Sequence, residues 1–180
     1  MSQVGMGVLY THGTLRQPIR EKPSPPVRQQ LLDQYYHPHH KKLTETVDRI
    51  LEEQNRCLIT DGHSFPPKAL PYETNPKAIR PEFCLGTDDF HTSPELLEAI
   101  EAELQRLGYS TGHNEPFSGT IVSLKHYQKD QRVQSLMIEI NRKLYLNEDY
   151  SVASGLQKVV SALDSVRRAL KMVDDSVENK

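Results

Sequence analysis

Two short apolar runs, Cys57-Leu58-Ile59-Thr60 and Leu136-Met137-Ile138-Glu139-Ile140, stand among stretches with helical hydrophobic spacing. That alternation constrains the fold more than any other feature of the chain. An apolar run of four or five residues bounded by polar turns fits a strand buried on both faces. Helices must then lie between such strands in sequence and cover them in space. The order helix, strand, loop, helix, strand, loop, strand, helix points to an α/β layered domain with a mostly parallel sheet. Sites in such folds gather at the C-terminal ends of the strands.

The helical stretches are explicit. Val27, Leu31, Leu32 and Tyr35 share one face, as do Leu43, Val47, Ile50 and Leu51. Pro38 falls between them and predicts a kink or two abutting helices. Thr92-Ser93-Pro94-Glu95 has the polar cap and early proline of a helix start, and Gly108 is a natural stop. A last helix is expected from about Val152 to Val173. Weaker extended candidates are Gly7–Tyr10, Tyr109–His113 and Thr120–Leu124. The proline-rich stretch from Phe65 to Phe90 is expected as one long loop, a length usual for functional or disordered segments. Residues 1–22 form a weakly structured lead-in, and residues 174–180 a fraying tail.

The 180 residues suit one domain with one core. A formal net charge of -2 with scattered basic residues gives no field for nucleic acid or an anionic membrane. No run approaches the ~18 apolar residues of a membrane helix. The start, Met1-Ser2-Gln3-Val4-Gly5, has neither the basic nor the apolar part of a signal peptide. Two cysteines, Cys57 and Cys84, in an ordinary composition favour a reducing, cytoplasmic setting.

Several residues are suited to chemistry. His63 closes Asp61-Gly62-His63-Ser64, just after a buried strand, where an imidazole can bind a divalent metal and Asp61 and Ser64 can orient it. The same cluster also serves as an ordinary strand-to-loop turn. Glu139 sits in an apolar run, where an unpaired charge is expensive. It is a candidate general base, or one half of an ion pair with Arg142. Arg80 and Arg142 match a substrate carboxylate bidentately. Asn114 and Ser118-Gly119 form a loop that shapes a pocket wall or is merely a turn. Tyr36-His37-Pro38-His39-His40 reads as packing rather than a metal tract, because consecutive helical positions diverge.

Taken in order, five segments resemble the N-formylglutamate amidohydrolases. They are Tyr36–His40, Asp61–Pro66, Arg80–Thr87, Asn114–Gly119 and Ile138–Tyr145, and the likeness covers roughly residues 5 to 150. The resemblance implies a three-layer α/β/α, carboxypeptidase-like (phosphorylase/hydrolase-like) fold. It implies a zinc-dependent amide hydrolase acting on N-formyl-L-glutamate or a related N-acyl amino acid, as in histidine breakdown. His63 matches a metal ligand and Glu139 the general base. Arg80, Asn114 and Arg142 fall where substrate carboxylate and amide contacts are expected. The family's upstream Pro-His-Ser-Gly type motif, which carries another metal ligand, has no counterpart before His12. The expectation is therefore an N-terminally truncated member with one assigned zinc ligand, the others coming from His12, His37, His39 or a partner chain. The competing expectation is a non-catalytic relative that binds an acidic amino acid or a protein, with an exposed sheet edge inviting a homo-oligomer.

Overall fold

The computed structural model describes residues 4–73 and 75–177, the side chains of 172–177 excepted. Helix α1 (Pro25–Leu31) starts on Pro25, where a missing N–H costs nothing. A π-helical turn, Leu32–Tyr36, follows, and α2 (His37–Gln54) continues from it. The expected break at Pro38 thus takes the form of a widened turn. Pro38 has no N–H to donate, and the His37 N–H reaches back five residues to the Leu32 carbonyl. Asn55, at φ 57, ends α2 in the left-handed region that Asn tolerates.

Four strands form one mixed sheet: β1 (Cys57–Phe65), β2 (Phe83–Gly86), β3 (Thr111–His113) and β4 (Val133–Asn141). Their order is β1-β4-β2-β3. β1 runs parallel to β4, and β2 parallel to β3, while β2 and β4 are antiparallel. The sheet is mostly parallel, as the alternation of elements implied. Helix α3 (Pro94–Arg106) has Ser93 as its cap, whose side chain accepts from the Leu96 N–H. Helix α4 (Leu156–Val177) starts four residues later than expected and includes 174–177 of the expected tail; residues 178–180 lie outside the described residues.

Strand alternation sorts the two faces. Leu136 and Ile138, with Leu58 and Ile140 beside them, pack with Phe83, Leu85 and the inner faces of α3 and α4. Ile100, Leu104, Phe83 and Leu85 have no exposed surface. Each such side chain contributes roughly 1.5–3 kcal/mol on burial. The odd-numbered residues of β1 and β4 face the other way. Cys57 and Val133, with Ile59, pack with Val122 and with Leu43, Val47, Ile50 and Leu51 of α2. The result is helix, sheet, helix, with β4 central.

Three local expectations change. Gly7–Tyr10 is not a strand; an isolated bridge joins Met6 to Tyr10. Thr120–Leu124 is irregular and runs into a turn. The expected loop from Phe65 to Phe90 contains β2, whose four residues are all buried. Neighbouring prolines concealed that strand, because Pro81 lies just before it and takes no part in its ladder.

Candidate active site

The register of the sheet builds the site. His63 of β1 lies beside Glu139 of β4, and Cys84 of β2 lies beside Glu139 on the other side. Laterally paired residues share a face. His63, Glu139 and Cys84 therefore form a row on the face opposite α3 and α4, with Asp61 in the neighbouring row. The segment carrying Ile121 crosses this face. Its Ile121 N–H donates to Asp61 Oδ2 at 3.2 Å, and Ser135 of β4 donates its hydroxyl to the Ile121 carbonyl at 2.7 Å.

Glu139 is 7% exposed, and its Oε2 has no hydrogen-bond partner among the described residues. Burial pushes its carboxyl above the ordinary value. The positive potentials of His63, Arg142 and Arg80 oppose that push, and Asp61 reinforces it. A buried, unpaired carboxylate oxygen costs on the order of 1–3 kcal/mol or more. A group kept at that cost, with Arg142 and Arg80 near it, fits an oxygen held ready for a proton or a ligand.

The surrounding groups are themselves fixed. Asp61 Oδ1 holds His63 Nε2 at 2.9 Å, which leaves Nδ1 as the ring's other nitrogen. The imidazole is half exposed, while Asp61 is largely covered. Arg142 donates from Nε to Ser64 Oγ at 3.1 Å and from Nη2 to the Ser64 carbonyl at 3.0 Å. Arg80 is bidentate on Glu73, at 2.6 and 3.1 Å, and donates from Nε to the Pro66 carbonyl at 2.9 Å. Its guanidinium lies over the rings of Phe65 and Phe117, 5.2 and 5.9 Å from their centroids. Asn114 sits at φ 54. Its side chain ties Thr87, through both N–H and hydroxyl, to the Gly119 N–H. It is built into the loop that borders the site.

Three residues that the sequence did not assign to a site belong to this neighbourhood. Glu73 is the buried partner of Arg80 and also accepts from the Leu70 N–H. The Tyr72 hydroxyl is pushed up by burial and by the charges of Glu73 and Glu139, against the pull of Arg80 and Arg142. Cys84 directs its thiol to the carbonyls of Glu115 and Phe117, and burial raises its pKa. Tyr72 and Glu73 lie within a loop whose prolines signal irregular chain and nothing of its route. Only the fold brings Glu73 onto Arg80 and Tyr72 within the electrostatic reach of Glu139. Cys57 and Cys84 are both buried and form no disulfide.

The zinc expectation meets a shortage of donors. Among the described residues, no three His, Cys, Asp or Glu side chains gather as a set able to hold a metal ion. The histidines named as reserves are engaged elsewhere. His12 meets the Thr11 hydroxyl, His37 lies near Asp33, and the His39 and His40 rings contact each other. A catalytic zinc takes about three protein donors and an open position. The described residues do not by themselves fit one.

The sequence profile of the N-formylglutamate amidohydrolases matches residues 1–146. The chain belongs to that family. N-formylglutamate deformylases of Pseudomonas putida and Pseudomonas aeruginosa are each 27% identical to it over 128 residues, 70% of this chain and 47% of theirs. The chain thus spans about half the length of the curated relatives it matches. Among solved structures, an N-formylglutamate amidohydrolase from Ralstonia eutropha JMP134 superposes with a TM-score of 0.72 at 24% identity, over 98% of this chain and 64% of that one. A gene product of Agrobacterium tumefaciens superposes at 0.63 with 14% identity, over 91% and 62%. These likenesses place the α/β fold. Among the described residues, no helix is long and apolar enough to cross a membrane.

Proposed function

We propose that the chain carries the general-base and substrate-holding part of an amide hydrolase. Its substrate is N-formyl-L-glutamate or a related N-acyl amino acid, and its products are formate and the amino acid. The reading includes a cytoplasmic setting in histidine breakdown. The observation that carries the proposal is Glu139, a buried carboxyl with an unpartnered oxygen and a raised pKa, near Arg142, Arg80 and His63.

Glu139 takes a proton from water as the water oxygen attacks the acyl carbon. The C–N bond then breaks, and the same carboxyl returns the proton to the departing amine. A raised pKa serves both steps, because the base is stronger and its conjugate acid persists. Arg142 spends two donors on Ser64 and keeps three N–H groups for a substrate carboxylate. Arg80 adds its charge from the clasp on Glu73, and Asn114 holds the bordering loop. Were a zinc ion bound, His63, paired with Asp61 and next to Ser64, would be its one assigned donor in this chain, and the metal would supply polarisation of the acyl carbonyl. The second reading is a non-catalytic relative that binds an acidic amino acid or a protein partner through the same site.

Purified chain supplied with zinc and N-formyl-L-glutamate separates the two. Formate release that stops on chelation, with zinc lost in His63→Ala, supports the hydrolase. Metal-free folded chain that binds glutamate without releasing formate supports the relative.

A further inference from the structure

Phe65 closes β1 and lies on the face that carries His63 and Glu139, two positions on from His63. The Arg80 guanidinium covers the Phe65 ring, and Glu73 clasps Arg80 with both oxygens. The chain leading into Glu73 is thereby drawn to the end of the Glu139 face. That chain is a tight turn, Leu70-Pro71-Tyr72-Glu73. The Glu73 N–H donates to the Leu70 carbonyl at 2.9 Å, and the Leu70 N–H donates to Glu73 Oε1 at 2.8 Å. Pro71 presets φ at the first corner, and Tyr72 takes the second. The turn is therefore fixed by its own closure and by the clasp on Arg80.

Tyr72 is half-buried, and its hydroxyl feels Glu73, Glu139, Arg80 and Arg142 together. Charged groups from the loop, from β4 and from the turn after β4 converge on this one phenol. Burial, then Glu73 and Glu139, hold it protonated. A neutral phenol at this place is a hydrogen-bond donor.

The proposed hydrolysis has a use for such a donor. As the water oxygen bonds to the acyl carbon, the carbonyl π pair moves onto the acyl oxygen. That oxyanion is stabilised by a donor fixed in advance. Glu139 serves as base, and Arg142 serves the substrate carboxylate. In a trans amide the acyl oxygen lies on the same side of the C–N bond as the Cα that bears the carboxylate. A hydroxyl near both Glu139 and Arg142 is placed for that oxygen.

We propose that the Tyr72 hydroxyl donates to the acyl oxygen of the substrate and stabilises the oxyanion formed there. This role rests on the proposed hydrolysis. The Tyr72 O–H bond stays whole throughout. The electron pair on the oxyanion re-forms the C=O bond as the C–N bond breaks, and Glu139 returns its proton to the departing amine.

Tyr72→Phe keeps the ring and removes the donor. The test is steady-state formate release from N-formyl-L-glutamate, together with inhibition by L-glutamate, which has no acyl oxygen. In the variant kcat and kcat/KM should fall together by ~100-fold or more, the value of one oxyanion donor. KM and the inhibition constant of L-glutamate should stay within about threefold of wild type, with an unchanged circular dichroism spectrum. A raised KM at unchanged kcat, with weaker inhibition by L-glutamate, would place Tyr72 on the carboxylate and overturn the assignment. So would a variant within about tenfold of wild type in kcat, and in both cases the hydrolase reading stands. A changed circular dichroism spectrum would give the hydroxyl to the fold and overturn the assignment as well. A wild-type chain that releases no formate overturns the hydrolase reading and the role of Tyr72 with it.

Discussion

Glu73→Ala cuts the clasp that holds the loop between β1 and β2, and its cost can be worked from the contacts. Glu73 accepts from Arg80 through both oxygens and from the Leu70 N–H, and the side chains of the pair are only 5% and 10% exposed. Removing one partner of a buried pair leaves the other charge uncompensated, at about 3–5 kcal/mol. Arg80 keeps part of its environment in the variant. Its Nε still reaches the Pro66 carbonyl, and its guanidinium still lies over Phe65 and Phe117, contacts worth about 0.5–2 kcal/mol for each ring when desolvated. The expected loss is therefore about 3 kcal/mol, the lower end of that range. Urea unfolding followed by circular dichroism measures it, with the midpoint moving and the slope unchanged. A double variant, Glu73→Leu with Arg80→Met, removes both charges and should lose less than the single one. A loss below about 1 kcal/mol in Glu73→Ala would refute the reasoning, since that is the value of an exposed pair.

Other outcomes follow from the same structure. Glu139→Gln should stabilise the fold at neutral pH. Burial raises the folded-state pKa of Glu139, so the stability tied to its protonation is full below the unfolded-state pKa and is lost as pH rises through the folded value. The variant's advantage in thermal melts should accordingly vanish in acid, and an advantage that grows in acid contradicts the burial argument. Cys84 and Cys57 should resist a thiol reagent in the native protein and react on unfolding, because both are buried and burial holds the Cys84 thiol protonated. Fast native labelling of either would show that the sheet opens locally. Asn114→Ala, which removes the tie between Thr87 and Gly119, should raise KM more than it lowers kcat, because the residue shapes the bordering loop; an equal drop in kcat and kcat/KM points instead to direct action in the transition state.

The legible parts of this chain were those with local causes. The stripes of α2, α3 and α4 are periodic, Ser93 and Pro94 mark a helix start, and the apolar run around Ile138 marks the central strand. Glu139 announced itself because a carboxylate is out of place there. β2 did not, because four residues carry no period and stand among prolines. Its antiparallel run beside β4 is a fact of topology that no local signal encodes. The clasp of Glu73 on Arg80 was equally hidden. The two stand seven positions apart in sequence, and only the folded loop closes that distance. Arg80 reads from sequence as an unengaged guanidinium, and the structure gives it a partner already in place.

In the proposed reaction Glu139 transfers protons during amide hydrolysis. The most direct test compares steady-state formate release from N-formyl-L-glutamate by the wild-type chain and Glu139→Gln, across a range of pH. kcat should fall ~100-fold or more in the variant, as general acid–base groups contribute. The wild-type kcat/KM should rise with pH through a value above the ordinary carboxylate range, an inflection that the variant lacks. A variant within tenfold of wild type, or one that keeps the inflection, would contradict it.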